Sequence, residues 1–321
     1  FSQAIRKAGH DLVSLFDPGA RPFAVESEPE LARIHETDFD AVLSSDADVY
    51  VICTTADHHV PLATALIEAG KRRLIIEKPL SQSAEDAERL RRMARARGVR
   101  VVVNHGRRYC PNTASLKALD GGGDTGALRS VAIRMGGGAL GCVGTHWIDL
   151  CNNLMGGVPD AVFAQLSALT PSNSRGTQFV DPGGVALLSY AGGRRAVLDM
   201  GDDVGIVVGA DFIYERGVVS WQSEGGRWSF RHRQAEDAER PLSLYGLPLV
   251  DAPFETVAPD LIAYAISALD DVLGEGPVIS GLDQACDTME VFAAIRASDR
   301  RDEMVRLPLG DQDRAEIYPI P

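Results

Sequence analysis

Residues 74–80 read Leu-Ile-Ile-Glu-Lys-Pro-Leu: three apolar residues running straight into a charged pair and a proline. A run without polar alternation suits a strand buried on both faces, as in a parallel sheet covered by helices. Working outward, Asp48 to Cys53 (DVYVIC) and Val99 to Val103 are runs of the same kind, and the stretches between them carry helical spacing. Val60 to Ala69 puts Leu62, Ala65, Leu66 and Ala69 on one face and ends at Gly70, while Ala84 to Arg97 stops at Gly98. Upstream, Ser2 to Ala8 reads as the end of a helix closed by Gly9, and Asp11 to Phe16 as a strand stopped by Asp17-Pro18-Gly19. Strict alternation of strand and helix predicts an α/β fold with a doubly wound parallel sheet.

After Arg108 the pattern changes. Leu128–Met135, Ala161–Leu166, Val185–Tyr190, Ala196–Met200 and Val218–Trp221 read as strands joined by Gly-rich turns such as Ala191-Gly192-Gly193. Helices follow at Pro259–Leu273 and Leu282–Ala297, and Arg231 to Pro253 reads as a long surface loop. The expected organisation is a Rossmann-type domain over residues 1–108 and an α+β domain with a largely antiparallel open sheet over 109–321.

Bulk properties exclude several functions. A chain of 321 residues, 45% hydrophobic, supplies two cores, and a formal charge of −13 repels nucleic acid and anionic membranes. The basic groups Lys71-Arg72-Arg73 and Arg89 to Arg100 read as solvated surface. With no membrane-length apolar run and no signal-peptide architecture at Phe1, a soluble cytoplasmic protein is expected. Five scattered cysteines without CxxC spacing suit reduced thiols, and His58-His59 with Cys53 complete no metal shell.

A Rossmann sheet normally opens with a strand and a G-x-G-x-x-G turn that brings backbone N–H groups to a pyrophosphate. No such element occurs here, and Gly136-Gly137-Gly138 sits after a strand of the second domain instead. The chain starts inside what should be the following helix. The reading is therefore an incomplete sheet, its first strand and glycine loop (roughly 20 residues) missing. Asp17, at the end of the second strand, is placed to accept from the adenosine ribose hydroxyls, favouring NAD over NADP; it is equally a turn former before Pro18-Gly19. Lys78 emerges at the carboxyl edge of the sheet, where ligands of open α/β folds bind and a general base is well placed.

Thr54-Thr55-Ala56-Asp57-His58-His59, Ala69-Gly70-Lys71 and Glu77-Lys78-Pro79-Leu80, in that order and spacing, resemble the Gfo/Idh/MocA family of NAD(P)-dependent oxidoreductases. Asn104 to Tyr109 (NHGRRY), Gly144-Thr145-His146-Trp147-Ile148-Asp149, Gly156-Gly157 and the tail Met289 to Leu309 extend the likeness over essentially the whole chain. The resemblance implies hydride transfer between NAD and a secondary alcohol or ketone of a sugar, nucleotide sugar or cyclic polyol. It assigns Lys78 and His146 to catalysis, and Thr54, Thr55, His59, Glu77, Lys78, Pro79 and Asn104, beside Asp17, to the cofactor. Arg108, Cys142, His146 and Asp149 fall to the substrate; a guanidinium at the Arg107-Arg108 junction is suited to gripping a phosphate or carboxylate on a nucleotide sugar or sugar acid, and equally to stapling the two domains. Two positions depart from the pattern: Thr55 replaces a proline, and Cys142 replaces an aspartate that precedes the histidine by four residues. The second leaves open a catalytically impaired, cofactor-binding regulatory relative, and an NAD-dependent glycosidase is the other enzyme class. The implied partners are a small carbohydrate and further copies of the chain, as a homodimer or homotetramer.

Overall fold

The computed structural model describes residues 1–19, 22–137, 139–168, 173–201, 203–223, 226–237, 240 and 249–321. Its first part alternates α1 (Ser2–Lys7), β1 (Leu15–Phe16), α2 (Phe23–Ser27), β2 (His35–Glu36), α3 (Phe39–Ser44), β3 (Tyr50–Ile52), α4 (Ala56–Glu68), β4 (Arg73–Ile76), α5 (Ala84–Ala96) and β5 (Arg100–Val103). Every pairing among these strands is parallel. They fall into two sheets, β1-β2 and β3-β4-β5, and the edge of β3 away from β4 has no strand partner among the described residues. Strand assignment needs a ladder partner, so Asp11–Phe16 and Asp48–Cys53 contract to two and three residues. Helix α4 starts at Ala56, four residues before its expected start, and carries Pro61 within it.

Burial explains the continuous apolar runs. Leu74, Ile76 and Val103 join the core beneath α4 and α5, while Ile75 and Val102 join a second cluster with Ala4 and Ile5 of α1 and with Ala265, Ala268 and Val272. The last three belong to a helix from near the far end of the chain, Leu261–Leu273, which packs on β4 and β5. Residues assigned from sequence to the second domain thus cover one face of the parallel sheet.

Between these parts lie α6 (Pro111–Leu119), β6 (Leu128–Gly136), α7 (Thr145–Met155), β7 (Ala161–Leu166), β8 (Gly184–Ser189), β9 (Arg195–Gly201), β10 (Val208–Tyr214), β11 (Gly217–Gln222), β12 (Arg227–His232) and β13 (Val250–Ala252). Then come α8 (Leu261–Leu273), α9 (Leu282–Arg301), β14 (Val305–Arg306) and α10 (Asp311–Ala315). Nine strands form one open sheet in the order β13-β12-β11-β10-β6-β9-β8-β7-β14, antiparallel except for the β6-β9 pair. Strands β10, β12, β13 and β14 were not foreseen. Part of the expected loop Arg231–Pro253 is strand, since β12 and β13 pair with each other, and its residues 238–239 and 241–248 lie outside the described set.

Helix α7 lies in the core with Trp147, Ile148 and Asp149 almost fully buried, and ends at Gly156, whose φ of 77° is a left-handed cap. The wide turn Leu140–Gly144 leads into it. Gly141 is there because Ile320 occupies the space: a Cβ at Gly141 would lie 2.6 Å from Ile320 Cγ2. The tail carrying Ile320 is held by the Val180 N–H donating to Pro319 O at 2.8 Å and by Gln82 Nε2 donating to Ile320 O at 2.8 Å.

Candidate active site

The carboxyl ends of β3 and β4 open on a cleft of about 320 Å³ lined by Cys53, Thr54, Thr55, Glu77, Lys78 and Arg175. That is where an open parallel sheet binds ligands, because strand ends and helix N-termini leave polar backbone exposed there. Thr54 and Thr55 form the turn into α4, and no side chain caps that helix's first turn. Glu77 accepts from Asn104 Nδ2 at 2.8 Å, leaving Asn104 Oδ1 buried without a partner. His59 is buried between two carbonyls, Nδ1 at 2.8 Å from Pro79 O and Nε2 at 3.0 Å from Thr54 O. It ties the Lys78-Pro79 segment to the α4 turn, and burial lowers its pKa.

The opposite side of Lys78 comes from the α7 region. Lys78 Nζ donates to Cys142 O at 2.8 Å and stands 3.9 Å from Cys142 Sγ. One turn on, His146 is partly buried, its ring edge-on to His105 at 6.0 Å between centroids, with Nδ1 buried and unpartnered. Burial first, then the positive charges of Lys78, His105 and Arg107, hold its pKa well below 6.5. At neutral pH the imidazole is uncharged, able to donate from one nitrogen and accept at the other. The lysine thus meets the turn that leads into the helix bearing His146, near enough for its charge to act on that imidazole, while the residues lining the cleft include Lys78 and not His146.

Other candidates are placed differently. Asp149 is fully buried and lies 2.8 Å from Arg108 Nη2, while Arg108 Nη1 donates to Asn153 Oδ1 at 3.3 Å. The pair links the segment after β5 to α7, the stapling alternative for Arg108, and engages both groups with each other. Asp17 follows β1, and its Oδ1 accepts from the Gly19 N–H at 2.8 Å, the turn-forming alternative.

Two residues, Asp181 and Arg175, escaped the sequence reading, and a third, Arg107, was read only together with Arg108. Asp181, buried, accepts from the backbone N–H groups of Gly141 at 2.6 Å and Cys142 at 2.7 Å, holding the turn whose carbonyl receives Lys78. Burial raises its pKa, against the lowering effect of those two N–H donors. Arg107 lies over the Trp147 ring at 3.6 Å, and Arg175 reaches the cleft from a loop. Asp181 left only a weak sequence signal, an acidic residue before Pro182-Gly183-Gly184 that reads as a turn.

An orphan buried acceptor at Asn104, an uncapped helix start behind Thr55 and a lysine at one cleft fit the nicotinamide-bearing half of NAD, whose carboxamide both donates and accepts. Among the described residues no group of three His, Cys, Asp or Glu side chains is arranged to hold a metal ion, and no helix is long and apolar enough to cross a membrane.

A parallel sheet opening on such a cleft, joined to a lobe built on an open mixed sheet whose helix α7 carries His146, defines a Rossmann-fold protein with a second, sheet-based lobe. Residues 2–105 match the family model described as oxidoreductase family, NAD-binding Rossmann fold, and residues 116–207 match the GFO/IDH/MocA C-terminal domain. The chain belongs to the Gfo/Idh/MocA oxidoreductase family. It is 35% identical over 121 residues to the uncharacterized oxidoreductase YhhX of Escherichia coli, covering 36% of this chain and 34% of that protein. It is 28% identical over 158 residues to the scyllo-inositol 2-dehydrogenase (NADP(+)) IolW of Bacillus subtilis, covering 44% and 43%. The matched stretches span from 20% to 60% of the length of the curated relatives. Among solved structures, the UDP-N-acetylglucosamine 3-dehydrogenase GnnA of Acidithiobacillus ferrooxidans superposes with a TM-score of 0.75 over 92% of each chain at 20% identity, a likeness of fold.

Proposed function

We propose that the protein is an NAD-dependent oxidoreductase acting on a secondary alcohol or ketone of a sugar, nucleotide sugar or cyclic polyol. The observation that carries this is the approach of Lys78 to the Cys142 carbonyl, four residues before His146, beside a cleft at the carboxyl ends of β3 and β4. NAD, when bound, takes up or returns a hydride at its nicotinamide ring. Glu77, Thr54 and Thr55, with Asn104 bonded to Glu77, would hold that ring's end of the cleft, His59 and Pro79 fix the segment bearing Lys78, and the Asp17 carboxylate oxygen not used by the Gly19 N–H would accept from the adenosine ribose, which would favour NAD over NADP. As the neutral amine, Lys78 Nζ accepts the substrate hydroxyl proton when the alcohol is oxidised, and as the ammonium it returns that proton in reduction. Neutral His146 hydrogen-bonds the same oxygen and fixes its orientation. Asp181 holds the turn at Cys142 from across the chain and takes over the support an aspartate at 142 gives in relatives, so the cysteine there is compatible with turnover. A soluble homo-oligomer in the cytoplasm is part of this reading.

The test is NADH formation from NAD and free sugars or polyols by the full-length protein, with Lys78→Ala as control. Turnover is expected to fall by about 10²–10⁴-fold while NADH binding persists, since one positioned proton-transfer group contributes that much. Unchanged turnover would refute the role of Lys78. Glycoside cleavage without net NADH would assign the protein to the glycosidase class.

A further inference from the structure

We infer that the substrate carries an anionic group, a carboxylate or a phosphate, and that Arg107 receives it. The inference rests on the oxidoreductase reading and narrows it to acidic substrates. Arg107 and Arg108 leave β5 side by side and meet different surroundings. Arg108 is neutralised by Asp149. Arg107 has no carboxylate within ion-pair distance and no side-chain hydrogen bond among the described residues; its Nε is sealed from solvent without a partner. Its guanidinium lies 3.6 Å from the Trp147 ring centroid and 6.0 Å from that of Trp221.

Burial draws the Arg107 pKa down to about 10, which leaves it charged at neutral pH. Stacking on indole satisfies none of the guanidinium's N–H donors, and an unpaired charge taken out of water is costly. The side chain is only partly buried, so its terminal nitrogens are open to a ligand. It is also close enough to His146 for its charge to depress that imidazole. Of the charges nearby, Asp149 is spent on Arg108 and Asp181 on two backbone N–H groups, and Glu77 is the carboxylate that lines the cleft. Against it in the cleft stand Lys78 and Arg175, and Arg107, stacked on Trp147 next to His146, adds a third positive charge in a chain of formal charge −13. A neutral polyol leaves that excess uncompensated. A carboxylate or phosphate matches the planar fork of Arg107.

The three tryptophans of the chain report on this site, because Trp147 contacts Trp221 at 6.0 Å and Trp221 contacts Trp228 at 5.4 Å. D-glucuronate, D-glucose 6-phosphate and D-glucose are titrated into the NAD-loaded full-length protein and its Arg107→Gln and Arg107→Lys variants, reading tryptophan fluorescence and NADH formation. At least one anion is expected to bind about 10- to 100-fold more tightly than glucose, the range of a charge-assisted hydrogen bond, and the two anions separate carboxylate from phosphate. Arg107→Gln is expected to abolish the preference; Arg107→Lys, which keeps the charge and loses the fork, retains part of it and guards against a glutamine variant that misfolds. Equal binding of glucose, a preference that survives Arg107→Gln, or no Arg107-dependent binding of either anion overturns the inference. Arg107-dependent anion binding without NADH formation upholds it and counts against the oxidoreductase reading. NADH formation from glucose with no anion preference does the reverse.

Discussion

Lys78 and His146 belong to two parts of the fold that meet where Lys78 contacts the Cys142 carbonyl, and those two sides are held by different kinds of contact. On the lysine side the supports belong to one parallel unit: His59 bridges Pro79 O and Thr54 O, and Asn104 holds Glu77. On the histidine side they come from far along the chain. Asp181 holds the Gly141-Cys142 turn from 40 and 39 residues away, Arg108 reaches Asp149 across 41, and Ile320 packs on Gly141 from the tail. A site built this way has one wall that folds with its own sheet and one that depends on the assembled molecule. Changes on the histidine side should therefore disturb stability and chemistry together, whereas changes on the lysine side should act on chemistry.

The largest expected effect that probes this contrast is Asp149→Ala. It leaves Arg108 charged and nearly buried, and breaking a buried pair costs about 3–5 kcal/mol, to be read from denaturant midpoints. A loss under 1 kcal/mol would make the pair no stronger than a surface contact and erase the contrast. Next comes Gly141→Ala, which forces a methyl group against Ile320 and should cost roughly 1–3 kcal/mol, largely recovered in Gly141→Ala/Ile320→Ala.

Smaller again is Asp181→Asn. Because burial raises the Asp181 pKa, the folded state holds this proton more tightly than the unfolded chain does. Its contribution to stability is full below the ordinary value of 3.8 and is lost as pH rises through the raised value. At neutral pH the variant should then lose less than ~1 kcal/mol, while turnover drops roughly tenfold as the Cys142 carbonyl shifts from Lys78. Unfolding curves from neutral pH toward 3.8 should favour the wild type increasingly over the variant. The smallest effect concerns His146, whose folded pKa is depressed: its neutral form is the stable one, and stability is lost as pH falls below 6.5. Its imidazole proton resonances should show no titration near pH 6.5 in the folded protein, and an ordinary titration there would contradict the crowding of positive charge around it.

The same contrast governs what could be read in advance. The lysine side is made of short consecutive stretches, so apolar runs such as Leu74–Ile76 located the sheet edge and Lys78, and the family resemblance added Glu77, Asn104 and His59 before any coordinates. Periodicity cannot report pairing across 40 residues: Asp181 left no reading, the partner of Arg108 stayed open, and of the Arg107-Arg108 pair it was Arg108 that was given to the substrate. Strands such as β2, two residues of polar sequence, carry no periodic signal at all. Helix α8 was foreseen as a helix but not as the cover of the parallel sheet, because its apolar stripe does not say which sheet it will meet.

The most direct test of convergence is a double-mutant cycle on turnover with Lys78→Ala, His146→Gln and the pair together. If the two groups act on one substrate oxygen, the double variant should be little worse than the weaker single one, leaving a coupling of about 0.5–3 kcal/mol. Losses that simply add would mean that the ammonium and the imidazole serve separate sites, and the account of a shared crevice would fail.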